Sequence, residues 1–162
     1  MNFNQNFNEL IANEIDSLGA TKFTIALSGG VDSMVLLDLL SKAKRSSDEV
    51  RAIHINHNLH EDSKEWIDFV KEACKKYKLP LIIESIKPKQ QGFGLEADAR
   101  DQRYKKFKEI ILDNECLLTA HHLDDQIETI LYRIFRGTGL DGLRSIRKND
   151  KFGKGLLCRP FF

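Results

Sequence analysis

The segment Lys22-Phe23-Thr24-Ile25-Ala26-Leu27-Ser28-Gly29-Gly30-Val31-Asp32-Ser33-Met34 joins an apolar, β-branched run to a helix-favouring one through a very short turn. Phe23 to Leu27 has the composition of a buried central strand, and Val31 to Leu40 opens a helix. A chain that passes from strand to helix this abruptly leaves the first helical N–H groups facing outward from the turn. Gly29 and Gly30 let the backbone approach an anion with no Cβ in the way. The helix dipole favours negative charge, and Ser28 and Ser33 add hydroxyl donors. The predicted object is a phosphate clamp formed by Ser28, Gly29, Gly30, Val31, Asp32 and Ser33. It is neither a Walker A loop, which ends in Gly-Lys-Ser/Thr, nor the dinucleotide fingerprint Gly-x-Gly-x-x-Gly. The plainer alternative is a strand-to-helix turn in which Asp32 and Ser33 serve as caps.

With 162 residues and 41% hydrophobic content, the chain is long enough for one well-cored domain and short for two, so a single domain over 1–162 is expected. Cys74, Cys116 and Cys158 are odd in number and far apart, which excludes a disulfide framework and any Cys-x-x-Cys metal or redox pair. A reducing, cytoplasmic setting fits. No apolar run reaches membrane-spanning length and the first residues lack a signal-peptide pattern, so no membrane partner is expected. The net charge of +1 is unevenly spread: residues 133–159 hold eight Arg or Lys against Asp141 and Asp150. That stretch alone is suited to a polyanion.

Apolar strand candidates recur at Phe23 to Leu27, Val50 to Ile55, Leu81 to Ile86, Glu115 to Thr119 and, more weakly, Gly155 to Cys158, with helical segments between them. Such alternation predicts an α/β fold with a Rossmann-like parallel five-stranded sheet and helices on both faces. An amphipathic helix over Phe7 to Leu18 ends near Gly19, and Ser63 to Tyr77 repeats Trp66, Phe69, Val70, Ala73, Cys74 and Tyr77 at helical spacing. Asp62 and Glu65 can form a capping box at its start. Lys87 to Gly94 and Gly137 to Gly155 read as loops. In an open parallel sheet, ligands bind beyond the carboxyl ends of the strands, where Ser28 to Ser33 falls.

Three further constellations follow strand ends. His54, His57 and His60 read as a strand-end loop beside a nucleotide rather than a metal site, with the main chain near Ile55 pairing the adenine edge. Arg100 and Arg103 lie one turn apart and can hold phosphates together, or form surface ion pairs. After the fourth strand, Thr119 to Thr129 places Asp125 and Glu128 one turn apart, a spacing suited to Mg²⁺. On the same helix Ile127, Ile130, Leu131, Ile134 and Phe135 form the expected core stripe, while Asp125, Glu128, Tyr132 and Arg136 share another side. Gly137 reads as the helix stop.

Ser28-Gly29-Gly30-Val31-Asp32-Ser33 resembles the PP-loop of the ATP pyrophosphatase superfamily. The six residues are joined by His54-Ile55-Asn56-His57, Leu95-Glu96-Ala97 through Arg100 and Tyr104, and Thr119 to Thr129. Arg136 to Leu143 and Arg159-Pro160 complete the set, and over nearly its whole length the chain then resembles the N-terminal domain of the tRNA(Ile)-lysidine synthetase family. Asn58 and His60 depart from the glycine and arginine usual there.

The resemblance implies an ATP-dependent ligase: O2 of the wobble cytidine in tRNA(Ile) with a CAU anticodon attacks the α-phosphate of ATP, and the ε-amine of free L-lysine then displaces AMP at C2. It implies ATP and Mg²⁺ as cofactors, with Ser28 to Ser33, Ile55 and His122 binding the nucleotide. Asp32, Arg100, Asp125 and Glu128 are the implied catalytic residues, Asp125 and Glu128 holding Mg²⁺ or the lysine amine. The family's C-terminal tRNA-binding domains are expected to be absent from these 162 residues, and a homodimer is allowed. The rival expectations are a PP-loop tRNA cytidine thiolase and a nonenzymatic adenine-nucleotide-binding module.

Overall fold

A computed structural model describes residues 3–57, 63–89, 94–135, 137 and 147–162. The chain runs α1 (Phe3–Ser17), β1 (Lys22–Ala26), α2 (Val31–Ala43), β2 (Glu49–Asn56), α3 (Ser63–Lys76), β3 (Leu81–Ser85), α4 (Leu95–Ile110), β4 (Glu115–Leu118), α5 (Leu123–Phe135), β5 (Asn149–Phe152) and β6 (Gly155–Cys158). The sheet order is β3-β2-β1-β4-β6-β5. All neighbours are parallel except β5 and β6.

The expected α/β sheet is therefore present, with two corrections. It has six strands rather than five, and β5 lies inside the stretch 137–155 that sequence assigned to a loop. Phe152 is the buried residue of β5, so the strand offers little apolar signal. It turns into β6 through Gly153, at φ +58°, and Lys154. A two-residue link with positive φ suits an antiparallel hairpin, and the charged edge strand caps the sheet.

Two apolar layers sandwich the sheet. Phe23, Ile25 and Leu27 of the β1 segment, Ala52, Cys116 and Leu118 meet α1 to α3 through Ile11, Ile15, Leu36, Leu40, Val70 and Cys74. On the other face Ile53, Ile55, Leu117 and Leu157 meet α4 through Ala99 and Phe107, with Ile111 just beyond it. Alternate strand residues point to opposite faces, which is why the centre of β1, Phe23, Thr24 and Ile25, is buried on both.

The predicted core stripe of α5 is a third correction. Ile127, Leu131, Ile134 and Phe135 are exposed, Phe135 to 85%. Periodicity identifies an apolar face but not what covers it. The helix does stop where expected: Gly137 takes φ +68° and its N–H donates to the Ile134 carbonyl at 2.9 Å. The Asp62 half of the proposed capping box lies outside the described residues, as do residues 138–146 of the glycine-rich motif.

Candidate active site

The sheet reverses its winding between β1 and β4. β1 leads through α2 to β2 on one side, whereas β4 lies on the other, so the connections diverge above the carboxyl ends of these two strands. A cavity of about 590 Å³ opens at that point.

The turn after β1 is locked from within. The Ser28 hydroxyl donates to Ser33 Oγ at 3.1 Å, Ser33 Oγ donates to the Gly30 carbonyl at 2.8 Å, and the Gly30 N–H donates to Ser28 Oγ at 3.2 Å. Gly30 is the N-cap of α2 and no side chain caps the helix. The capping alternative for Asp32 and Ser33 thus has no hydrogen bond behind it, and the first amides of α2 keep their capacity for an acceptor from outside. Gly29 is required twice over: φ is +91°, and a Cβ there would meet Trp66 Cε3 at 2.9 Å.

Ser28, Gly30, Asp32, Ser33, Ile55, Arg100 and Asp125 line the cavity together, as the sequence motifs proposed. Gly29 and Val31 face a separate groove beside Phe7 and Phe69. His122 and Glu128 are not part of the lining; Glu128 is exposed on α5. His122 instead sits among carboxylates, Nε2 being 3.7 Å from Asp32 Oδ2 and 3.8 Å from Asp125 Oδ2. Its backbone N–H donates to Asp125 Oδ2 at 2.8 Å, which fixes Asp125 at the start of α5. Among the histidines of the β2 end, His54 and His57 both line the cavity, His54 being buried with Nδ1–H donating to the Leu27 carbonyl at 2.8 Å, and His60 lies outside the described residues.

The opposite wall is cationic. Arg100 and Arg103 both lie over the Tyr104 ring, at 5.4 and 5.8 Å from its centroid. Arg103 is largely enclosed, and burial lowers its pKa. Its Nε and the Tyr104 hydroxyl are buried without a hydrogen-bond partner among the described residues. Such groups have lost their hydration and gain from a polar ligand or water that reaches them. His121 stands between this wall and Asp125. Burial pushes its imidazole down to about 4, opposed by Asp125 and reinforced by Arg159, Arg100 and Arg103. Burial likewise lowers His57, with Arg103 adding to the effect.

A largely parallel sheet with a glycine and hydroxyl bend at its switch point is the architecture of the doubly wound α/β proteins. The whole chain, residues 1–162, matches the ATP_bind_3 family of PP-loop domains, and the protein belongs to that family. It is 43% identical over 141 residues to the tRNA(Ile)-lysidine synthase of Buchnera aphidicola, covering 86% of this chain and 32% of that protein. With the tRNA(Ile)-lysidine synthase of Escherichia coli O157:H7 it shares 37% identity over 145 residues, 88% of this chain and 34% of the other. The chain thus spans about a third of the length of the curated relatives it matches. Among solved structures, a U34-tRNA thiolase from Methanococcus maripaludis aligns with a TM-score of 0.70 at 22% identity, over 98% of this chain and 59% of that one. An NH3-dependent NAD synthetase from Campylobacter jejuni aligns with a TM-score of 0.59 at 15% identity, over 79% and 58%. These two likenesses share the fold.

Sequence reasoning passed over three cavity residues. His121 stands inside a motif that was singled out for its carboxylates, and Tyr104 inside one singled out for its arginines. Trp66 was counted as part of an apolar stripe. The signal available for all three was their position just beyond strand ends or beside a motif residue.

Proposed function

We propose that this chain is the catalytic PP-loop domain of a tRNA(Ile)-lysidine synthase, which uses ATP to adenylate the wobble cytidine of a CAU anticodon and then ligates L-lysine to C2. The observation that carries the reading is the meeting of the Ser28–Ser33 bend with Arg100, His121 and Asp125 in one cavity, in a chain this similar to proteins of that name. ATP use follows from membership of the PP-loop family.

In the first step cytidine O2 bonds to the α-phosphorus and the bond to the bridging oxygen breaks, releasing pyrophosphate. The amides of α2 and the Ser28 and Ser33 hydroxyls bind the phosphate oxygens, and Arg100 neutralises charge on the adenylate. In the second step the lysine ε-nitrogen bonds to C2 and the C2–O2 bond breaks, O2 leaving with AMP. Glu128 and Asp125 attract the amine, whose proton leaves to solvent as the C–N bond forms, and His121, which burial keeps neutral at pH 7, adds no positive charge to that wall. Catalysis is chiefly positioning and charge neutralisation.

The donor set also fits Mg²⁺. Asp32 and Asp125 bring hard carboxylate oxygens to the same imidazole edge, and Mg²⁺ takes one or two carboxylates together with phosphate oxygens. Asp125 and Asp32 would hold it, with Glu128 one turn outward. An ion held there would supply charge neutralisation for the phosphate oxygens.

The thiolase alternative finds no support in the cysteines. Cys74, Cys116 and Cys158 are all buried, and burial pushes the Cys74 thiol up to about 11.

Incubating the protein with labelled lysine, ATP, Mg²⁺ and unmodified tRNA(Ile) bearing CAU is expected to transfer label to the RNA, and Asp125→Asn to abolish it. ATP binding by calorimetry without any lysine-dependent pyrophosphate release would favour the nonenzymatic module.

A further inference from the structure

We propose that Trp66 is the platform on which the nucleotide's adenine ring stacks. The inference rests on the reading of this cavity as an ATP site and adds the residue that grips the base.

Trp66 belongs by sequence to the apolar stripe of α3. Val70, Ala73 and Cys74 of that stripe are buried, whereas Trp66 is 49% exposed and Phe69 52%. Of these two, Trp66 lines the cavity and Phe69 the separate groove beside Gly29 and Val31. The six-membered edge of the indole, Cε3 and Cζ3, lies against Gly29, where an added Cβ would meet these atoms at 2.9 and 3.3 Å. The rest of the side chain lines the cavity beside Ser28, Ile55, His57 and Ser63. One edge of the ring is thus seated on the phosphate bend, and the half-exposed side chain borders the cavity.

The two walls of the cavity differ in chemistry. Arg100, Arg103, His121 and Asp125, from α4, the β4–α5 connection and α5, supply charge and proton-accepting groups, whereas Ser63 and Trp66 come from the start of α3 and His54, Ile55, Asn56 and His57 from the end of β2. A ligand whose phosphates occupy the bend therefore has its charged end against one wall and its aromatic end against the other. Stacking on an aromatic side chain suits any base, because every base has a π-face. Trp66 would thus raise affinity for the base without reading its identity. The glycine at position 29 then has a further role, since it lets the indole close on the bend.

Trp66 is the sole tryptophan of the chain, so its emission reports this position directly. The folded protein is titrated with ATP, AMP and inorganic tripolyphosphate, following fluorescence and heat together. ATP and AMP are expected to quench the emission in step with calorimetric uptake, and tripolyphosphate to bind without quenching. Trp66→Leu should weaken ATP about tenfold or more and leave tripolyphosphate unchanged, and Trp66→Tyr should restore most of the loss.

ATP uptake with unaltered Trp66 emission overturns the proposal while sparing the nucleotide site. Equal weakening of ATP and tripolyphosphate in Trp66→Leu also overturns it, because the ring would then only support the bend. If that variant does not fold, the wild-type emission decides. No ATP uptake by the wild-type protein removes the nucleotide site itself, and the stacking role with it.

Discussion

His121 shows how a single side chain is tuned by its surroundings. Burial lowers its pKa most; Asp125 works against the shift, and Arg159, Arg100 and Arg103 add to it, leaving the group at about 4. Because the folded value lies below the unfolded value of about 6.5, the unfolded chain binds the proton more readily. The contribution to stability is therefore complete above about pH 6.5 and is lost as pH falls toward 4. An NMR titration of the His121 ring should show a midpoint well below that of an ordinary histidine, and Arg103→Gln should move it upward. A midpoint near 6.5 in the folded protein would contradict the enclosed position. What sequence could read at this scale was whatever depends on local order: Ser28, Gly30 and Ser33 form their ring within six residues, so spacing alone reveals them. The neutrality of His121 depends first on its burial and then on arginines from α4 and from just beyond β6, which no local pattern brings together.

Elements were legible where both faces of a strand are buried. Phe23 to Leu27 and Glu115 to Thr119 reveal β1 and β4 because a parallel sheet covered on both faces draws mostly apolar residues into its central strands, the buried Thr24, Glu115 and Thr119 excepted. The β5–β6 hairpin was less visible, since an edge strand keeps polar residues and only Phe152 is buried. The docking of β6 nevertheless depends on one small residue. Gly155 begins β6 directly against β4, and an added Cβ would meet the Glu115 carbonyl oxygen at 2.0 Å and Ile111 Cγ2 at 2.9 Å. The first of these is backbone and cannot swing aside. Gly155→Ala is expected to cost about 3 kcal/mol and to loosen the β4–β6 pair. Hydrogen exchange should then show faster exchange of the Thr119 amide, which donates to the Cys158 carbonyl at 3.0 Å. Unchanged protection would mean that β6 docks without the contact described. The stripe of α5 marks the opposite limit: Ile127, Leu131 and Ile134 have the spacing of a core face and lie exposed, because spacing says nothing about a covering partner.

Across the whole molecule, the sheet separates two polar centres. The cavity lies at the carboxyl ends of β1 and β4, while toward their amino ends Arg51, Thr24 and Glu115 form a network on the face that α4 covers. The Arg51 guanidinium donates from Nη2 to Glu115 Oε2 at 2.7 Å and from Nε to Oε1 at 2.8 Å. The Leu112 N–H donates to the same carboxylate at 2.8 Å, and the Thr24 hydroxyl to Oε1 at 2.5 Å. Burial alone would raise the Glu115 pKa, but the bonds from Arg51, Leu112 and Thr24 outweigh it and the net shift is downward. A lowered carboxyl pKa adds stability that is present above the unfolded value and disappears as pH falls through the folded one. Removing the carboxylate leaves a guanidinium and an amide short of an acceptor, so Glu115→Ala should cost about 3 kcal/mol, or roughly 10 °C in Tm. The same variant should flatten the fall in urea midpoint between neutral and acidic pH. Because no residue of this network borders the cavity, ATP affinity by calorimetry should change less than about twofold, within the range expected for well-separated sites. A large loss of ATP binding in a folded Glu115→Ala protein would show that the two ends of the sheet are coupled.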